Sequence, residues 1–205
     1  MIWWFRVRMG TAVLIALIVM MTFGAAASSA TVPVPVILGG VTVALPVPFL
    51  LPILPVIIMV FGQARGNDGA ERTTARPLVL WDSTAVVLLV TGAAFVGLCQ
   101  WWWTSWSMGP AMARNFAGYL GLALLLRWLA GPAVALLATS VFPFFCASFG
   151  IVPGHDPKIW AWPFHESSSV PGLLCVTVLL LAGLAAQAQS RPGLFPKGLS
   201  FSRSQ

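Results

Sequence analysis

Two pairs of polar side chains in one loop have the residue types that bind metals or transfer protons. His155 and Asp156 are adjacent, and His165 and Glu166 follow in the same segment, Gly150 to Ser169. Histidine and carboxylate side chains are common zinc ligands. Their spacing here matches neither HExxH nor another closed zinc pattern. We therefore expect four solvated loop residues and no metal site.

Groups suited to covalent catalysis or ATP hydrolysis are equally sparse. The serines near the two histidines form no recognisable Ser-His-Asp arrangement. The chain has no glycine-rich phosphate loop of the G-x-x-x-x-G-K-[ST] type. Its three cysteines, Cys99, Cys146 and Cys175, are isolated in apolar runs and form no CxxC pair, which is typical of buried apolar residues. We predict that the protein is not an enzyme and uses no cofactor.

The composition is typical of a membrane protein. Of 205 residues, 59% are hydrophobic and 8% are charged, whereas soluble domains carry about 25% charged residues. In a soluble protein the net charge of +6 would suggest a nucleic-acid partner, but in a membrane protein it indicates basic loops on the cytoplasmic side. We therefore exclude nucleic-acid binding and expect the lipid bilayer as the main surroundings.

Six apolar stretches have the length of transmembrane helices. The expected fold class is all-α, a polytopic transmembrane helical bundle of six spans that forms one domain over residues 1–189. A basic cytoplasmic tail over residues 190–205 is expected to be disordered. The predicted spans are Met9–Ala27, Leu38–Phe61, Ser83–Gln100, Pro110–Leu129, Ala133–Phe149 and Val170–Gln189.

Prolines and glycines predict several local features. Alternating prolines predict an extended segment over Thr31–Val36. The span Leu38–Phe61 contains four prolines and is expected to be a kinked or broken helix. Gly118 and Gly121 lie on adjacent turns of one face of the fourth span, which favours close helix packing. A glycine–proline pair at positions 131–132 predicts a tight reversal between two spans.

The first span has two interpretations. Arg6 and Arg8 precede it and the small residues AAASSA follow it, as in a secretory signal peptide. Because further spans follow in the chain, we expect an uncleaved anchor that retains residues 1–30.

Two polar residues, Arg114 and Asn115, lie near the start of the fourth span. A charged residue at membrane depth is costly and is by default a candidate functional residue. The alternative is that Arg114 reaches the membrane interface with its long side chain. Asn115 is expected to form hydrogen bonds across helices.

The densest cluster of charge lies between the second and third spans, from Gly62 to Asp82. Glu71 stands three residues after Asp68, as in a capping box. Asp68 and Arg72 are spaced i,i+4 and can pair on one helical face. These features predict a short cytoplasmic helix, roughly over residues 68–76, near the bilayer surface.

This short helix also has two interpretations. In the first, its arginines only fix the topology of the membrane helices. In the second, it docks a soluble partner through its charged side chains. The residues that would take part in docking are Asp68, Glu71, Arg72 and Arg76.

The distribution of lysine and arginine predicts the orientation. With six spans and a cytoplasmic N-terminus, nine of the 11 basic residues lie inside and two lie outside. Cytoplasmic loops are enriched in basic residues, so we expect both termini in the cytoplasm. The two outside are Arg114 and Lys158; the nine inside are Arg6, Arg8, Arg65, Arg72, Arg76, Arg127, Arg191, Lys197 and Arg203.

The pattern from Leu45 to Ala185 resembles a family of membrane proteins. It contains LPVPFLLPILPVIIMV, ERTTARPLVLWD, ARNFAGYLGLALLLR and WAWPFHE in this order. It resembles small actinobacterial permease-like integral membrane proteins, which are similar to the membrane subunits of ABC-2-type exporters. The resemblance implies that a helix in the loop between the second and third spans docks on a separate ATPase.

Two functions are therefore expected as alternatives. The first is the membrane-spanning permease subunit of an ABC-type export system in the bacterial inner membrane, acting as a homodimer with a cytoplasmic ATPase. The second is a non-transporting membrane scaffold or assembly factor that binds other membrane proteins.

The topology is testable with reporter fusions. We expect fusions at Gly69 and Gln205 to report a cytoplasmic location and a fusion at His155 to report an external one, because the basic residues are so unevenly distributed. An external location at Gln205 would contradict six spans.

Overall fold

The computed structural model describes residues 8–36, 42–64, 78–151 and 156–189 and is mostly helical. In these residues a two-stranded antiparallel hairpin lies between the first two helices, with strand β1 (Thr31–Pro35) paired to β2 (Thr42–Pro46) and Thr31 opposite Pro46. The six helices within the described ranges are α1 Gly10–Ala26, α2 Ile53–Ala64, α3 Leu78–Thr104, α4 Met108–Ala130, α5 Pro132–Gly150 and α6 Val170–Gln189.

Four segments of the described part of the chain are long and apolar enough to cross a membrane, which indicates a membrane protein. They are Val47–Ala64, which includes α2, then Leu80–Thr104 within α3, and the whole of α5 and α6. Their mean hydropathy is 2.1, 1.8, 1.8 and 2.0. Helix α1 is also apolar, but it is shorter, with 17 residues.

Helix α4 is not one of these four segments. It is the central helix of the bundle. It has 23 residues, and its arginines and asparagine lower its hydropathy. It contacts each of the other five described helices. Its side chains Met112, Phe116, Tyr119 and Leu120 are fully buried in the core. The polar residues of α4 therefore meet protein atoms, while α1, α3, α5 and α6 expose apolar side chains.

The close approach of α4 to α6 depends on the predicted glycine face. A Cβ atom at Gly121 would lie 2.6 Å from backbone atoms of Leu179 and Leu180 on α6. Gly118, one turn earlier, faces Trp162 and Val176. The prediction that this face permits close helix packing is confirmed, because the two helices approach with backbone nearly in contact.

The predicted helix over Leu38–Phe61 is wrong in its first half. Residues 37–41 lie outside the described ranges, Thr42–Pro46 is strand β2, and Val47–Phe49 is a 3-10 turn. Proline lacks an N–H donor, so Pro46 and Pro48 favour an extended segment and a turn over a continuous helix. Pro55 lies in the first turn of α2, where the N–H groups have no intrahelical acceptor, so it leaves the helix intact.

Two further predicted local features, the extended segment and the tight reversal, are confirmed. The proline-rich segment Thr31–Val36 contains strand β1, Thr31–Pro35. Gly131 alone joins α4 to α5, with φ 86°, and confirms the tight reversal.

Helix α1 packs into the bundle, where Met20 and Met21 are buried and the Gln100 side chain donates to the Met21 carbonyl at 3.0 Å.

The glycine contact gives a stability prediction. Gly121→Ala should lower the thermal unfolding midpoint of the purified protein in lipid nanodiscs, because the added methyl group meets α6 backbone that cannot move aside cheaply. Overpacking of this kind typically costs about 1–3 kcal/mol.

Gly92→Ala is the matched control, because a Cβ atom at Gly92 of α3 meets no atom within 4 Å. In a helix this change is neutral or stabilising. Equal midpoints for the two variants would contradict the close contact between α4 and α6.

Candidate functional site

The side chain of Arg114 lies beneath a segment that connects α5 to α6. We call residues 156–169 the strap. Arg114 is 6% exposed, and its guanidinium donates to three strap carbonyls: Glu166 at 2.5 Å, His165 at 2.7 Å and Trp162 at 3.2 Å. Backbone carbonyls of the protein therefore solvate the guanidinium group.

Asn115 extends the same interaction. It is fully buried, and its amide nitrogen donates to the Pro163 carbonyl at 3.1 Å. Its amide oxygen accepts from Arg114 at 3.4 Å. The expected hydrogen bond of Asn115 is thus formed with the strap, and two adjacent α4 residues hold four of its carbonyls.

These contacts satisfy two requirements at once. A buried cation needs dipoles that replace water, and buried carbonyls need donors. Among the described residues no carboxylate lies within salt-bridge distance of Arg114. In this part of the chain its positive charge is therefore stabilised by the dipoles of the strap carbonyls. The Nε atom of Arg114 is buried without a hydrogen-bond partner.

Trp162 inserts the strap into the core of the bundle. The residue is 2% exposed, and its ring lies 5.0 Å from Tyr119 and stacks on Phe142 at 5.7 Å, between ring centroids. It also rests on Gly118, where an added Cβ atom would lie 2.5 Å from the indole. The strap therefore closes one end of the bundle with an aromatic side chain.

Both ring nitrogens of His165 lie within hydrogen-bond distance of other strap residues. Its Nε2 atom lies 3.2 Å from the Lys158 carbonyl, and its Nδ1 atom lies 3.2 Å from the Ser169 hydroxyl. Asp156 and Glu166 are exposed, and His155 lies outside the described residues. Within the described ranges no three His, Cys, Asp or Glu side chains form a group that could hold a metal ion.

A second polar cluster lies where α2 ends and α3 begins. We call Arg8, Gln63, Asp82 and Arg127 the basal cluster. Arg8 lies 3.2 Å from the Asp82 carboxylate and donates to the Gln63 carbonyl at 2.6 Å. Arg127 donates to the side-chain oxygen of Gln63 and, at 3.4 Å, to its carbonyl. The cluster joins the segment before α1 to α2, α3 and the last turn of α4.

The predicted docking residues follow directly in the chain from this cluster. Asp68, Glu71, Arg72 and Arg76 lie outside the described residues, between Ala64 at the end of α2 and Leu78 at the start of α3. Gln63 was not predicted as a site residue. In the sequence it is a single amide side chain at the end of an apolar run, and this pattern does not indicate that two arginines distant in the chain bind it.

Comparison of the chain with protein-family models, with curated proteins and with solved structures finds no match.

The role of Arg114 can be tested by amide hydrogen exchange in lipid nanodiscs. Arg114→Met keeps an apolar stem but removes the donors to three carbonyls. We expect faster exchange of the strap amides of Phe164 and His165, which bond within the strap. Each charge-assisted hydrogen bond is worth about 1.5–3 kcal/mol, so the increase should exceed tenfold.

Lys158→Ala is the matched control in the same strap. The Lys158 side chain is exposed, and its ammonium nitrogen lies 5.9 Å from the centroid of the Trp160 ring. Its removal should leave exchange at 164 and 165 nearly unchanged. Similar acceleration in the two variants would show that Arg114 does not hold the strap.

Proposed function

We propose that the chain is the membrane-spanning permease subunit of an ABC-type export system that works with a separate cytoplasmic ATPase. In this proposal it lies in the bacterial inner membrane with six spans and both termini in the cytoplasm. The observation that carries the proposal is the basal cluster, because it connects the ends of the charged loop, residues 65–77, to four parts of the bundle.

A partner that binds this loop would act on several helices together. The loop follows α2 and precedes α3, so a force on it reaches both helices directly. Arg8 and Arg127 both bind Gln63, which extends the effect to α1 and α4. An ATPase that closes on ATP needs such a mechanical connection, since the permease itself contributes no phosphate-binding loop.

The position of basic residues supports the proposed orientation. Arg8 and Arg127 meet at the basal cluster, at the same end of the bundle as the charged loop. Lys158 and Arg114 lie at the opposite end, in and beneath the strap. The described basic residues are thus two at each end, and the orientation is supported by the whole sequence, in which nine of the 11 basic residues fall on the side that we propose as cytoplasmic.

The packing of α4 supports a homodimer for transport. Met112, Phe116, Tyr119 and Leu120 fill the centre of the bundle at 0% exposure. A substrate pathway along the axis of one copy would have to displace this core. A pathway between two copies leaves the core intact and uses apolar outer faces such as that of α3.

The scaffold is a second proposal, and a specific observation favours it. Arg114 and Asn115 are the polar residues expected at membrane depth, and both bind carbonyls of their own chain. Polar groups used in this way serve the fold and do not contact a transported molecule. A scaffold would bind other membrane proteins through the exposed apolar faces of α3, α5 and α6.

The docking proposal is tested by Arg72→Glu. This change places an acid near Asp68 and Glu71 and removes an i,i+4 pair worth about 0.2–0.5 kcal/mol, too little to unfold the bundle. Like charges at a partner surface cost several kcal/mol. We expect normal membrane levels and loss of a co-purified ATPase.

Arg203→Glu is the matched control, because it makes the same charge change in the C-terminal tail. It should retain the ATPase after mild detergent extraction and cross-linking. If no ATPase accompanies the wild-type protein, the permease proposal fails and the scaffold takes its place. If both variants lose the ATPase equally, docking depends on net charge and not on the loop.

A further inference from the structure

Helix α4 contributes side-chain donors to both polar sites. Near the start of α4, Arg114 and Asn115 bind the strap. Near the end of α4, Arg127 binds Gln63. At a rise of 1.5 Å per residue the two arginines are about 20 Å apart along the helix axis. One secondary-structure element thus connects the two ends of the bundle.

Between these sites α4 has the properties of a rigid body. It is one continuous helix, and its proline, Pro110, lies in the first turn, before Arg114. Its contact with α6 is formed by Gly121 against backbone, without interlocking side chains at that position. In a shear motion, packed helices slide past one another by a small distance and each helix stays intact.

The strap has independent attachments to the neighbouring helices. The Lys158 amide donates to the Gly150 carbonyl at the end of α5, at 2.9 Å. At the start of α6 the Gly172 amide donates to the Ser169 hydroxyl at 3.4 Å. The strap is thus attached to α5 and α6 as well as to α4, so a displacement of α4 relative to them strains the hydrogen bonds of its carbonyls to Arg114 and Asn115.

Both polar sites contain a buried donor without a hydrogen-bond partner. These are Nε2 of Gln63 in the basal cluster and Nε of Arg114 beneath the strap. An unpaired buried donor costs free energy, so neither network is fully satisfied in the described arrangement.

We propose that α4 couples the basal cluster to the strap, so that release of Arg127 from Gln63 loosens the strap at the opposite end of the bundle. The coupling rests on the proposed function only for the event that drives it, which would be docking at the neighbouring loop. It is a property of the chain alone and is measured without an ATPase.

Cys146 is a native reporter of the strap. It is fully buried on α5, one turn from Phe142 and one turn from Gly150, and all three lie on one face of the helix. Phe142 stacks on Trp162, and a Cβ atom at Gly150 would lie 2.5 Å from that of Ala161. The residues one turn on either side of Cys146 therefore pack against the strap, and we expect loosening of the strap to admit a thiol reagent to Cys146.

The experiment measures the rate at which a water-soluble maleimide labels Cys146 in lipid nanodiscs. The starting protein carries Cys99→Ala and Cys175→Ala, so that Cys146 is its only thiol. Arg127→Met removes both of its hydrogen bonds to Gln63, and Gln63→Ala, tested separately, removes the one to the Gln63 side chain. We expect both to raise the rate about tenfold, which corresponds to about 1.4 kcal/mol.

Leu129→Ala is the matched control at the same end of α4, because its side chain is 59% exposed. It should leave the rate unchanged. A second protein, with Cys146→Ala and Cys175→Ala, reports on Cys99 of α3. The coupling is wrong if the two cluster variants label Cys146 no faster than Leu129→Ala, or if they accelerate Cys99 by the same factor.

Discussion

The guanidinium of Arg114 has to be solvated by the protein itself, and much of the structure depends on this requirement. At 6% exposure it has little access to water or headgroups, and carbonyls of Trp162, His165 and Glu166 take their place. A cation that faced the hydrocarbon would cost several kcal/mol. The requirement explains why the helix that carries it is the one surrounded by all the others.

The central position of α4 has consequences at both ends of the molecule. Close packing against α6 needs the glycine face, and the buried strap needs donors for carbonyls such as those of Pro163 and His165. At the other end Arg127 meets Gln63 and so connects α4 to the start of the charged loop. The same helix thus forms the centre of the packing and links the strap at one end of the bundle to the basal cluster at the other.

Local signals in the sequence predicted much of the helical architecture. Val170–Gln189 has the predicted bounds, and the glycine face of α4 and the reversal at Gly131 are confirmed. The hairpin was missed because apolarity alone does not separate a strand from the start of a helix. The partners of Arg114 were not predictable, because they lie 48 to 52 residues later in the chain and hydropathy is a local property. The predicted loop helix over 68–76 and the tail over 190–205 lie outside the described residues.

Binding of the strap carbonyls by Arg114 can be measured directly by solid-state NMR in lipid bilayers. The chain contains two histidines, so carbonyl-labelled histidine marks His165 and one other position. Arginine labelled with nitrogen-15 in the guanidinium group then allows carbon–nitrogen distances to be measured. The structure predicts that one histidine carbonyl lies within about 4 Å of a guanidinium nitrogen, given a C=O bond of about 1.2 Å, and that Arg114→Met abolishes this signal. A wild-type protein in which neither histidine carbonyl is close to a guanidinium would contradict the account.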